Sequence, residues 1–214
     1  GQLVAYGGYD GWFRVIHLNS DEEKLAHHFE ISEGNINFIW SVCFSDDMSR
    51  VAASSWTGEV IIWSTMSFEP ICKINRPGIR VFSIALSRDG SECLVGSRDG
   101  VAILYGLRHD EVEHDPEMLF KAQFPNRIYS VALSDDHLAL CGMHSSIHLY
   151  KRLSVAKHKH YDWEGQKDEE KVVEGPIEGS HHYNHHFHFR LVAEFAVTCD
   201  QKSCAFSPDG RNLA

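Results

Sequence analysis

The sequence predicts an all-β protein assembled from small antiparallel sheets, and three observations carry that expectation. A seven-residue apolar pattern recurs along the chain, polar turns follow its copies at matching positions, and helical periodicity is not sustained over any useful length. The pattern runs Ile39-Trp40-Ser41-Val42-Cys43-Phe44-Ser45. It returns as Val81-Phe82-Ser83-Ile84-Ala85-Leu86-Ser87 and as Ile128-Tyr129-Ser130-Val131-Ala132-Leu133-Ser134. A weaker fourth copy begins at Ser203-Cys204-Ala205-Phe206.

Each copy leads into a turn: Asp46-Asp47, Arg88-Asp89-Gly90, Asp135-Asp136 or Pro208-Asp209-Gly210. Short polar side chains there satisfy the reversing backbone, and glycine takes positive φ. A second strand follows each turn, then a second turn. The second turns are Gly7-Gly8-Tyr9-Asp10-Gly11, Ser54-Ser55-Trp56-Thr57-Gly58, Gly96-Ser97-Arg98-Asp99-Gly100 and the degenerate Gly142-Met143-His144-Ser145. Third strands come next, at Trp12 to Leu18, Glu59 to Trp63, Val101 to Tyr105 and Ser146 to Tyr150, rich in branched and aromatic side chains. Fourth strands are poorly marked, with Ala26 to Ile31, Pro70 to Ile74, Met118 to Phe124 and Leu191 to Val197 in suitable places. The anchors Gly11, Gly58, Gly100 and Ser145 are 47, 42 and 45 residues apart, a period that fits one four-stranded sheet per repeat.

One such sheet cannot bury both faces, whereas similar sheets stacked around an axis can, leaving only short edges. The pattern resembles the WD-repeat β-propellers, through Phe206-Ser207-Pro208-Asp209-Gly210, Gly96-Ser97-Arg98-Asp99-Gly100 and Val60-Ile61-Ile62-Trp63. That resemblance implies propeller blades of four antiparallel strands, about four of them represented in residues 1–214, and a ring that in this family usually has seven. The chain then reads as part of a larger propeller, completed by blades from the same or another chain. The other reading has Ser203 to Phe206 joining the N-terminal strands in a small closed ring. Arg211 to Ala214, which looks like a second strand of its own, favours the larger ring.

Departures from the family pattern bear on stability. The closing tryptophan survives only as Trp63, followed by Ser64 in place of aspartate; Tyr105, Tyr150 and Ile16 occupy the other copies. The family's glycine-histidine pair is absent, so lower stability per blade is expected.

Composition excludes several classes. Apolar residues make up 43% and charged residues 23%, the balance of a globular domain. No run of eighteen apolar residues offers a membrane span, and no basic segment leads into an apolar one as in a signal peptide. A net charge of −10 disfavours nucleic acid as partner. The six cysteines lie mostly in apolar runs without a CxxC pair, as in a reducing intracellular compartment, cytoplasmic or nuclear; Cys199 and Cys204 are the one close pair.

The interval from Leu133 to Phe206 is 73 residues, against 42 and 47 for the two before it, and the excess falls in an insertion at 151–190. Mixed charge, Gly165, Gly175, Pro176 and Gly179 make this an expected exposed loop. Within it, His181, His185 and His188 belong to a histidine-rich run whose imidazoles suit zinc or another transition metal. Such a metal needs fixed geometry, which a solvated loop does not supply.

Catalytic arrangements are missing. The glycine turns lie between strands and lack the lysine of a phosphate loop, and Ser41, Ser83 and Ser130 recur at one strand position, which points to architecture and not to a nucleophile. The expected function is a noncatalytic protein-protein interaction scaffold or a structural subunit of a multiprotein assembly. A propeller hydrolase or metal-dependent protein using the histidines is the alternative, and no cofactor is otherwise implied. Arg80 and Arg127 precede equivalent innermost strands, and Trp12 and Trp56 lie beside turns; these four are the candidate contacts with protein partners. Trp40, Phe82 and Tyr129 read as inter-blade core.

Overall fold

The computed structural model of the protein describes residues 2–20, 22–29, 37–107, 116–143, 146–153, 188–196, 203–207 and 209–214. Among them there is no helix, and all named sheets are antiparallel. The first sheet holds β1 (Leu3–Gly7), β2 (Trp12–His17) and β3 (Glu22–His28), three strands where four are expected of a blade. The second holds β4 (Ile39–Phe44), β5 (Arg50–Ser55), β6 (Glu59–Ser64) and β7 (Pro70–Asn75). The third holds β8 (Val81–Leu86), β9 (Glu92–Ser97), β10 (Val101–Gly106) and β11 (Glu117–Gln123). The fourth holds β12 (Ile128–Leu133), β13 (His137–Gly142), β14 (Ser146–Leu153) and β15 (His188–Ala196). Each sheet keeps its strands in chain order, as the blades of a propeller do.

Fourth strands differ most from expectation. The third strand of the last sheet runs on to Leu153 and draws β15 back to His188, so both ends of the insertion are paired strand, Leu153 opposite His188. The rest of the insertion, with His181 and His185, lies outside the described residues.

The second strand of each blade explains why the sheets stack. Every residue of β5 and β9 is buried, because each of these strands serves two cores at once. Val51 and Ala53 point toward the first sheet and meet Phe13, Val15, Phe29 and Trp63, while Ala52 points toward the third and meets Val81, Ile84 and Val95. In β9, Cys93 and Val95 face the second sheet, and Leu94 faces Ile128, Leu138 and Leu140 of the fourth. Alternation along a strand thus becomes alternation between neighbours. Alanines and serines in β5 leave room for the approach.

The closing rings fill the wider outer part of these seams. Trp63 is buried, stacked on Phe13 at 4.7 Å and approached edge-on by His27 and Phe29. Tyr150 meets Phe120 of the preceding blade at 5.1 Å.

The recurring serines join blade to blade. Ser41 Oγ accepts the Ile84 N–H at 3.2 Å, Ser83 Oγ accepts that of Val131 at 3.1 Å, and Ser130 Oγ accepts that of Cys204 at 3.1 Å. One hydroxyl in each innermost strand therefore holds the innermost segment of the next. The last of these acceptances sets 203–206 beside the innermost strand of the fourth sheet. That segment pairs with its own following residues, Phe206 opposite Leu213, and among the described residues it makes no backbone bond to β1.

Of the close pair Cys199 and Cys204, the structure describes only Cys204. The buried neighbours of Cys204 are Cys141 and Ser130, whose Oγ is 3.7 Å from its Sγ. Burial also pushes the Cys43 thiol up to about 12, far from the thiolate that chemistry would need.

At the other end of the innermost strands the turns are locked by a serine and an aspartate. Ser87 Oγ donates to Asp89 Oδ1 at 2.8 Å and accepts the Glu92 N–H at 2.9 Å, and Ser45 repeats this with Asp47 and Arg50. Side chains from neighbouring blades bind here too. Arg50 donates to the Gly90 carbonyl at 2.7 Å, and buried Glu92 holds Arg152 of the fourth sheet, with Nη1 at 2.9 Å.

Two outcomes follow from these joints. Ser83→Ala strands the Val131 N–H at a buried seam, so urea unfolding should show a loss of about 1–3 kcal/mol and faster hydrogen exchange at Val131. At Asp89, burial opposes the charge but is outweighed by bonds from the Ser91 N–H and from the Ser91 and Ser87 hydroxyls, which hold its carboxyl at about 2. A depressed carboxylate stabilises the fold above its ordinary value near 3.8 and loses that contribution as pH falls through 2. Denaturant titrations across this window should show a stability decline that Asp89→Asn reduces.

Candidate protein-interaction surface

The first strand of each four-stranded sheet carries one residue too many. Pairing steps from Ile39–Ser55 to Ser41–Ser54 over Trp40, from Val81–Ser97 to Ser83–Gly96 over Phe82, and from Ile128–Gly142 to Ser130–Cys141 over Tyr129. A bulge takes its extra residue out of the ladder and re-aims its side chain. Here the re-aimed side chain is aromatic in all three blades.

The turn between second and third strands closes over the same end. Trp56, Arg98 and Met143 each donate a backbone N–H to the segment before the innermost strand, at the carbonyls of Phe38, Arg80 and Arg127, all at 2.9 Å. Glycine also lets the same turns press on the segments that lead to the next blade. Gly100 has φ of +80°, and a Cβ there would stand 2.2 Å from the Phe124 carbonyl oxygen. Gly58, with φ of +98°, would likewise meet the Arg76 carbonyl at 2.1 Å.

These three rows of residues form one continuous arc of rings. Tyr9 meets Phe38 at 4.8 Å; Phe38 meets Trp56 at 4.5 Å and Trp40 at 5.5 Å; Trp40 meets Trp56 at 5.1 Å and Phe82 at 5.2 Å; Phe82 meets Tyr129 at 5.6 Å. Of Trp40, Phe82 and Tyr129, read as inter-blade core, only Phe82 is buried, and its ring neighbours are those of the arc. Trp40 is 42% exposed and Tyr9 78%, while Tyr129 and Trp56 are half-buried. Trp40, Phe82 and Tyr129 all lie at bulges, outside the alternation that would have turned them into the seam, and Phe82 is buried because the rings of Trp40, Trp56 and Tyr129 surround it.

Arginines extend the arc. Arg80 lies over the Trp56 ring, its Cζ 3.9 Å from the centroid, a cation–π contact that fixes both side chains. Desolvation lowers the Arg80 guanidinium from its ordinary value, and the like charges of Arg98 and Arg127 add to the effect. The expected contacts Arg80 and Trp56 therefore touch, and Arg127 lies within their electrostatic reach. Arg98 went unrecognised because its Gly-Ser-x-Asp-Gly setting reads as a turn; its equivalence to Trp56 and Tyr9 in the repeat was the available signal.

Trp12 stands apart. Its half-buried ring leans on His28 at 4.9 Å with Arg14 above it at 5.1 Å, and among the described residues it makes no ring contact with the arc. Arg14 is itself held by Asp10 and Glu23.

Cavities mark both ends of the blades. One of about 390 Å³ beside the arc is lined by Trp56, Thr57, Glu59, Asn75, Pro77, Gly78 and Arg80. A larger one of about 710 Å³ lies at the opposite end of the innermost strands, among the polar turns with Asp46, Arg88, Asp135 and Asp136. Among the described residues no three His, Cys, Asp or Glu side chains are grouped to hold a metal; of the predicted metal histidines only the backbone of His188 is described, in β15.

Stacked sheets in chain order, joined at their innermost strands, define blades of a β-propeller. Residues 24–64 match the family model described as WD domain, G-beta repeat. A similar protein is the "Small ribosomal subunit protein RACK1y" of Oryza sativa subsp. japonica, 27% identical over 111 residues, 51% of this chain and 31% of the relative. The match thus spans about a third of the relative's length. The matched segment runs from within β3 to the end of β6, so a unit of the sequence family begins in one sheet and ends in the next.

Gly100→Ala tests the geometry that closes the arc. It should cost about 1–3 kcal/mol in chemical denaturation, since an alanine must hold left-handed backbone against the Phe124 carbonyl.

Proposed function

We propose that this protein is a noncatalytic interaction platform, and that the arc from Tyr9 to Tyr129 with its arginines is the face that binds other proteins. The observation that carries the reading is the arc itself. Rings in continuous tilted contact, with Trp40 and Tyr9 left exposed, offer the rigid aromatic area that dominates protein recognition, and Arg80 adds a fixed donor fork. A monomer gains nothing from exposing tryptophan at a joint whose glycines and bulges all serve to present it.

The similarities support the same reading. WD repeats stack into rigid supports whose turns are open to partners, and the rice relative is by its name a subunit of a ribosomal particle, which is membership of a large assembly. Among the described residues no helix is long and apolar enough to cross a membrane. Cys72, Cys93, Cys141 and Cys204 are buried free thiols, which suits an intracellular setting, cytoplasmic or nuclear.

The test is a combined variant, Trp56→Ala with Arg80→Gln and Arg127→Gln. Quantitative mass spectrometry of material captured from cell extract should show the proteins enriched on the parent chain falling by about tenfold on the variant, with an unchanged melting midpoint. Equal capture by a variant that melts like the parent rejects the assignment of this face.

A further inference from the structure

The arc is not uniform around the axis. On the first two blades the positions before the innermost strand and in the second turn are Tyr9, Phe38 and Trp56; on the third and fourth the corresponding positions include Arg80, Arg98 and Arg127. One edge of the face is therefore aromatic and the adjoining edge cationic.

Among the described residues the cationic edge has no carboxylate partner. Arg14, Arg76, Arg88 and Arg152 each have a carboxylate in ion-pair range, at Asp10, Asp99, Asp135 and Glu92. Among the described residues no carboxylate stands in that range of Arg80, Arg98 or Arg127, although the chain carries a net charge of −10. Three like charges gathered at one edge, with Arg80 already immobilised on Trp56, oppose folding and favour an anion from outside. Guanidinium forks match carboxylate and phosphate oxygens in pairs, which gives them orientation as well as charge.

We propose that Arg80, Arg98 and Arg127 receive the anionic side chain of a partner's peptide segment, while an apolar side chain next to it lies on Trp40 and Trp56. This rests on the arc being the binding face. A polynucleotide would find the same rings and charges, but three arginines on a strongly acidic protein make no track for a backbone of repeated phosphates. A single anion beside an apolar side chain uses the whole edge.

Three synthetic peptide libraries with identical random flanks and a fixed central glutamate, phosphoserine or serine are passed over the immobilised chain. Single-stranded polyuridylate is the competitor. The glutamate or phosphoserine library should be retained about tenfold better than the serine library, and retention should fall as salt rises. Preference for phosphoserine over glutamate identifies a phosphorylated partner, and equal retention identifies any acidic segment. The variant Arg80→Gln, Arg98→Gln, Arg127→Gln should lose that advantage while melting cooperatively and no lower than the parent; Arg→Lys at the three positions should restore attraction but not the full preference. Equal retention of the serine library, an advantage that survives the glutamine variant, or displacement of peptides by polyuridylate at lower concentration than by free peptide overturns the proposal. If serine peptides bind equally and Trp56→Ala abolishes binding, the face stands and its charge preference falls. Retention of none of the libraries removes the face as well.

Discussion

Every blade here depends on its neighbour, and the dependence has a definite physical form. A four-stranded sheet with a fully buried second strand has two faces to cover and cannot cover either alone. In β5 and β9 successive side chains go to different neighbours, so the two cores flanking a blade are built from a single strand. The serine of each innermost strand then spends its hydroxyl on the following blade's backbone. Apolar burial pulls the sheets together; the hydroxyl decides at which height they meet.

That fixed height makes the aromatic arc possible. Rings at equivalent bulges of successive blades come within stacking distance only if the strands that carry them are level. Backbone bonds to the Phe38 and Arg80 carbonyls hold Trp56 and Arg98 at equivalent heights, and the turn glycines leave room for the segments leading to the next blade. The polar turns at the far end make the complementary arrangement, where Arg50 and Glu92 reach across to the next blade. One end of the stack is thus spent on joining blades and the other on presenting side chains.

Much of this was legible in the residues. The recurring seven-residue pattern located β4, β8 and β12, and the repetition of Ser41, Ser83 and Ser130 marked those residues as architectural before any partner for their hydroxyls was known. The period of the glycine turns located the third strands. Fourth strands were harder to place, because an outer strand half in water has a weak apolar pattern, as in Glu117–Gln123. Bulges left no local mark: Ile39-Trp40 and Val81-Phe82 read as consecutive core residues, and only the skipped pairing shows that the ring leaves the ladder. The meeting of Arg80 with Trp56 joins two turns of different blades, and that of Cys204 with Cys141 spans a long insertion; neither is encoded in a spacing.

The offset between sequence unit and sheet has a consequence for how such a protein grows. The stretch 24–64 opens on the outer strand of one sheet and closes on the third strand of the next, so it contains the seam between them: Trp63 comes from one side, and its edge-on neighbours His27 and Phe29 from the other. Tandem duplication of such a stretch copies a finished joint and not a loose part. Lengthening by whole copies therefore needs no fresh matching of surfaces, and later drift can be confined to the outward turns while the inherited seam keeps the register.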